Sequence, residues 1–252
     1  MTSTGVHRWG EGDRVVLVHG SVSAAEETWQ AQLPLADGHE LIAADRQGFV
    51  ESAGLESEDP EADADAVAAL LGAGAHLVGY SMGGLVAMLA AARRPGAVRS
   101  LVLVEPPALG LLRGRREVEA FISRYDALRS EASTPEQFLR GFLVFFGAPA
   151  EEVAQIPSPM PPPLARAAYA QFTGPAPWDL PIPLEVVRRG SFPKVVVSGG
   201  HSDLFDVLCE SVALGIGATV ETVAGAGHGA QFTGGPFNDL LLRTWRGTAA
   251  TH

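Results

Sequence analysis

Short apolar runs alternate along this chain with longer, alanine-rich ones. The runs at 15–18, 41–44, 75–78, 101–104, 194–197 and 219–223 are largely aliphatic, with little polar alternation. That pattern predicts strands covered on both faces. A further strand is predicted at 6–9, joined to Val15 through the turn-like Gly10-Glu11-Gly12-Asp13. Helices are predicted at 63–71, 82–93, 204–214 and 237–246. The first follows an acidic Pro60-Glu61-Ala62-Asp63 start, and the second closes on Arg93-Arg94-Pro95-Gly96, cations followed by two breakers. Strands alternating with helices predict the α/β class, with a mostly parallel, doubly wound sheet.

The interval 108–187 breaks the alternation. It holds helix-like stretches at 115–130 and 135–146, then the proline-dense run from Pro157 to Pro163. About 80 residues lie between two strands that a simple crossover would join in a dozen or more. The chain is therefore divided into a core, 1–107 and 188–252, and a helical cap or lid inserted at 108–187 after the strand at 101–104. The cap's aromatics (Phe121, Phe142, Phe145, Phe146, Phe172, Trp178) either line an apolar site or fill the cap's own interior.

With 252 residues, 46% hydrophobic and 19% charged, the chain can bury one large core. A net charge of −11 argues against nucleic acid or an anionic membrane as partner. The single cysteine, Cys209, excludes an intrachain disulfide and a cysteine-based zinc site. The first eight residues lack a signal peptide's apolar core. The most apolar long stretch, 77–92, is too short for a bilayer and is interrupted by Gly79, Ser81, Gly83 and Gly84. The expectation is a soluble, cytoplasmic protein.

Gly79-Tyr80-Ser81-Met82-Gly83-Gly84 matches G-x-S-x-G. Alone the match is weak, but it stands between a predicted strand and a predicted helix, the setting such a turn requires. A strained strand–helix turn lifts Ser81 Oγ above the sheet and sets the Met82 N–H at a helix N-terminus, facing a developing oxyanion. His19-Gly20-Ser21 directly follows the strand at 15–18 and supplies the Ser21 N–H as second donor. His19 itself is read as holding that loop. Of the seven histidines, His228 lies in the permissive Gly225-Ala226-Gly227-His228-Gly229 loop and is assigned as base. His201 competes; His7, His39, His76 and His252 read as surface or structural. Two carboxylates stand at strand ends: Asp203, after Gly199-Gly200-His201-Ser202, and Glu105, after the strand at 101–104. Either could orient His228; Asp203 is preferred, and Asp206 falls in the following helix.

These residues resemble the α/β-hydrolase superfamily. The order Ser81, Asp203, His228 is similar to that superfamily's nucleophile–acid–histidine order. The stretch from Asp45-Arg46-Gln47-Gly48-Phe49 to Ser52 is similar to its D-x-R/G-x-G-x-x-S loop, although Gln47 departs from the usual Arg or Gly. The resemblance covers 6–107 and 190–247. It implies an α/β-hydrolase fold with a lid. The short N-terminus departs from the pattern and reduces the leading hairpin to one strand, and some members carry their acid after the earlier strand, where Glu105 lies, which leaves the acid open between Asp203 and Glu105. The implied activity is hydrolysis of a carboxylic ester or related acyl bond through an acyl-enzyme on Ser81. The cap's apolar, aromatic character suggests a small apolar or aromatic acyl substrate. A C–C bond hydrolase, thioesterase, lactonase or cofactor-free perhydrolase would use the same triad, and a non-catalytic ligand-binding member is a further alternative. No cofactor, metal or nucleotide is implied, since HExxH and Walker patterns are absent.

Overall fold

The computed structural model describes residues 5–50 and 54–246. Residues 1–4, Glu51 and Ser52 of the loop singled out above, and His252 lie outside them. Among the described residues, strands β1 (Val6–Trp9), β2 (Asp13–Val18), β3 (His39–Ala44), β4 (Ala75–Tyr80), β5 (Val98–Val104), β6 (Lys194–Ser198) and β7 (Thr219–Thr222) form one seven-stranded sheet. Its order is β1-β3-β2-β4-β5-β6-β7. Every pairing is parallel except β1 against β3. The leading strand thus pairs with β3 rather than folding back on β2 as a hairpin.

The helices are α1 (Ala25–Thr28), α2 (Pro60–Leu70), α3 (Met82–Arg93), α4 (Arg116–Glu131), α5 (Pro135–Phe145), α6 (Ala150–Ala154), α7 (Pro162–Thr173), α8 (Leu184–Arg189), α9 (Asp203–Ile216) and α10 (Gly235–Arg246). Local chemistry sets their ends. Asp59 caps α2 by accepting the Glu61 and Ala62 N–H groups, with Pro60 in the first turn. Gly217 closes α9 in the left-handed conformation, φ 69°.

Alternate residues of each central strand feed two cores. Val16, Val18, Leu77, Leu101, Leu103 and Val196 pack with α2, α3 and α9. Val15, Leu17, Val78, Val102, Val104 and Val197 pack on the other face with Trp29 and α10. Both faces are covered, which is why these strands read as continuous aliphatic runs. The one cysteine, Cys209 on α9, is buried with its Sγ 3.8 Å from the Val197 carbonyl oxygen.

Between β5 and β6 the chain runs through α4–α8. Buried Val118, Ile122, Tyr125 and Phe138 belong to the same apolar cluster as the α3 face of the sheet. This helical layer is seated on the core's apolar face and also holds a small interior of its own, Leu139, Met160 and Ala168. The expected limit at 187 falls inside α8, whose Val187 packs with that core. α7 has no counterpart among the predicted helices; its first turn is Pro162 and Pro163, the tail of the proline run. No helix among the described residues is long and apolar enough to cross a membrane.

Candidate active site

Parallel strands end together, so the turns after β2, β4, β5 and β6 open along one edge of the sheet. Two non-glycine residues among those described have positive φ, and both sit in these turns: Ser81 at 51° and Glu105 at 40°. Each is held by a backbone bond to the neighbouring strand. Ser81 N–H donates to Val104 O (2.8 Å), and Glu105 N–H donates to Val197 O (3.0 Å). Strain of this kind persists only where the surroundings fix it, and it gathers at functional sites.

The glycines around Ser81 answer to close approach. A β-carbon on Gly83 would collide with the Val18 and His19 carbonyls, and one on Gly79 would stand 2.8 Å from the Gly84 Cα. The turn can thus run straight into α3, leaving Met82 as its first residue. The Gly20–Ser21 turn passes the same point: a β-carbon on Gly20 would lie 3.4 Å from Ser81 Cβ.

His228 sits between β7 and a short turn at Ala230–Thr233. Its Nε2 is 3.0 Å from Ser81 Oγ, and its Nδ1 is 2.7 Å from Glu105 Oε2. Because an ionised carboxylate only accepts, Nδ1 carries the proton and Nε2 is free to take the one on Ser81 Oγ. The other Glu105 oxygen accepts the Gly199 N–H at 2.7 Å, and His201 Nδ1 lies 3.3 Å from it. Glu105 is fully buried, so these partners replace the water its carboxyl group has lost.

Asp203, the preferred acid, is not part of this chain of contacts. It is exposed, in the first turn of α9. The Gly199-Gly200 turn lets two backbones meet rather than aiming an acid at His228: a β-carbon on Gly199 would collide with the Gly227 carbonyl beside His228. Its N–H goes to Glu105, and the chain then enters α9 with Asp203 facing solvent.

His19 and Arg46 fasten the turn after β2. His19 is fully buried, donates from Nδ1 to Gly20 O (2.7 Å) and accepts the Arg46 N–H at Nε2 (2.9 Å). Burial, then the Arg46 charge, holds its pKa well below the usual histidine value. The Arg46 guanidinium donates to His19 O and Gly20 O and pairs with Glu58 (3.0 Å), with Nη1 3.5 Å from Asp63 Oδ2. Burial raises Asp63 to about 6 against the pull of Arg46. The Gln47 N–H also donates to Asp63 (2.7 Å). The other structural histidines are likewise engaged: His7 with Asp45, His39 with Leu35 O, and His76 with Ser100, its pKa lowered by burial to about 4.

Above Ser81 lies a cleft. Its wall is aromatic, including Phe121, Tyr125, Phe142, Phe146, Trp178 and Phe205. Phe146 and Phe205 also pack on the His228 ring, at centroid distances of 5.6 and 5.2 Å. Ser21, Glu58 and Gln171 line it as well; Glu58 and Gln171 are far from Ser81 in sequence and escaped sequence reasoning. For a metal, the group with suitable donors among the described residues is Glu105, His201 and His228, whose ligand atoms lie within 4.8 Å of one another. Two of these three are already joined in the Ser81 contact chain.

Residues 15–240 match the family model described as the alpha/beta hydrolase family. The chain belongs to that family. Among curated proteins, the pimeloyl-[acyl-carrier protein] methyl ester esterase of Neisseria meningitidis serogroup A is 40% identical over 91 residues, 36% of this chain and 29% of that protein. The enzyme of the same name from Methylococcus capsulatus is 34% identical over 128 residues, 46% of this chain and 50% of its own. The chain thus spans half or less of these relatives' lengths. Among solved α/β-hydrolase folds, MenH from S. aureus superposes with a TM-score of 0.72 over 99% of this chain and 100% of its own, at 18% identity.

Proposed function

We propose that this α/β hydrolase is an esterase-type serine hydrolase with Ser81 as nucleophile, His228 as general base and Glu105 as the orienting carboxylate. The observation that carries the reading is the unbroken hydrogen-bond chain from Ser81 Oγ through both His228 nitrogens to buried Glu105. His228 Nε2 takes the hydroxyl proton as Oγ bonds to the substrate carbonyl carbon, and the carbonyl π pair moves to oxygen. The Ser21 and Met82 N–H groups receive that oxyanion. Collapse expels the leaving group, which takes the proton from His228. Water then repeats the sequence and releases the acid from Ser81. Glu105 stays ionised throughout and stabilises the imidazolium.

The aromatic lining of the cleft supports a small apolar or aromatic acyl substrate, and the helices between β5 and β6 act as its lid. The alcohol or thiol portion leaves beside Phe146 and Phe205, because the His228 proton must reach it there. The esterase names of the curated relatives favour an ester over other acyl bonds. Intact-mass labelling with a fluorophosphonate probe, followed by peptide mapping, tests the reading. One adduct, on Ser81, is expected; folded protein that takes no adduct would overturn it.

A further inference from the structure

The cleft is aromatic, yet two of its lining residues carry acceptors that the protein leaves open. Gln171 is only 5% exposed. Its amide nitrogen is fully engaged, donating to Ser21 O and more loosely to Ala167 O at 3.4 Å. Its Oε1 has no hydrogen-bond partner although it is buried. Glu58, 6% exposed, gives Oε1 to Arg46, while Oε2 bonds to nothing among the described residues. Both residues line the same cleft as Ser81. A buried carbonyl oxygen without a donor is unfavourable, so its natural complement is a ligand that donates.

The charges choose the kind of donor. Arg46 is one cation set against two carboxylates, Glu58 and Asp63. The surroundings of the cleft are aromatic, Tyr125, Phe142 and Trp178 among them. Rings attract a cation through their negative faces, and a carboxylate adds to this where water is excluded. A neutral hydroxyl would satisfy one acceptor; a primary ammonium has three N–H donors and can serve both.

We propose that Glu58 and Gln171 form an ammonium subsite, so that the preferred substrate is an acyl compound carrying a primary amine on its acyl part. This rests on the reading of the cleft as the acyl site. Gln171 is tied to the turn bearing Ser21 through the Ser21 carbonyl, and the subsite is assigned to the acyl part rather than the leaving group.

The test separates the subsite from the chemistry. Calorimetric titration of the whole protein at pH 8, above the value near 6 to which burial lifts Asp63, compares n-hexylammonium, 1-hexanol and hexyltrimethylammonium. Hexylammonium is expected to bind at least about tenfold more tightly than hexanol, about 1.4 kcal/mol. Equal or tighter hexanol binding would overturn the proposal. Equal binding of the trimethyl compound, which has a charge but no N–H, would assign the cation to the rings alone and also overturn it. Turnover gives the second reading. The kcat/KM ratio of 4-nitrophenyl 6-aminohexanoate to 4-nitrophenyl heptanoate should exceed about ten, by the same arithmetic. It should fall towards one in Glu58→Gln and in Gln171→Met. The second variant covers the case in which loss of the Arg46 pair prevents folding. If no ester is hydrolysed and no fluorophosphonate adduct forms while hexylammonium still binds selectively, the esterase reading fails and the subsite stands.

Discussion

Ser81 and Glu105 occupy matching stations. Each is the first residue beyond one of two adjacent parallel strands, each has a positive φ, and each is tied by its N–H to the next strand. Their neighbours differ. The serine turn is framed by Gly79, Gly83 and Gly84, whereas the glutamate turn runs into Pro106-Pro107. A turn that must enter a helix at once brings backbone against backbone and needs residues without a β-carbon. A turn that leads into the irregular chain at Pro106–Ala108 makes no such demand. Equal strain can therefore leave a loud signature in one place and almost none in the other.

Substitutions can take this pairing apart. The largest effect is expected from Ser81→Ala, which removes the nucleophile: ester turnover and fluorophosphonate labelling should both vanish while the circular dichroism spectrum is unchanged. Retained turnover would remove Ser81 from its role. Glu105→Gln should come next, lowering kcat by up to about 10⁴-fold, because an amide facing Nδ1 favours the wrong imidazole tautomer. Its Oε1 can still accept the Gly199 N–H, so the urea midpoint should move little. A fall in kcat of less than tenfold would deny Glu105 the part of triad acid.

The turns themselves can be compared through stability. Gly83→Ala forces a methyl into the Val18 and His19 carbonyls and should cost about 1–3 kcal/mol or more, whereas Pro106→Ala should cost less than about 1 kcal/mol. Equal shifts in urea unfolding would mean that the two turns are under the same steric constraint. The smallest effect is expected from Asp203→Asn, which removes an exposed charge in the first turn of α9. It should cost about 0.3–1 kcal/mol of stability and leave kcat within about twofold. A kcat loss rivalling that of Glu105→Gln would restore Asp203 as the acid.

The same contrast explains what could be read from the sequence. The central strands were legible because both of their faces are buried, and α3 was legible to its end residues because glycines begin it and Arg93, Pro95 and Gly96 close it. Ser81 and His228 stood out through their glycine-rich turns. Glu105 did not: the residue before a proline is ordinarily extended, and nothing local marks a φ of 40°. Gly199-Gly200 misled, because two glycines look alike whether they free a side chain or admit another backbone. α7 was hidden by Pro162 and Pro163, which continue a proline run yet suit a helix's first turn. Glu58 and Gln171 meet in the cleft only through tertiary folding, beyond the reach of spacing arguments.

The lone thiol of Cys209 has a practical consequence. It is buried beneath β6 on the helix whose Phe205 forms part of the cleft wall, and burial pushes its pKa up to about 12. A neutral thiol with no exposure cannot meet a disulfide reagent unless α9 lifts from the sheet. Reaction of the unmodified protein with such a reagent is thus a clock for that opening. Under conditions where opening limits the rate, its half-time reports how often the wall beside His228 comes away, with no label introduced and no residue changed.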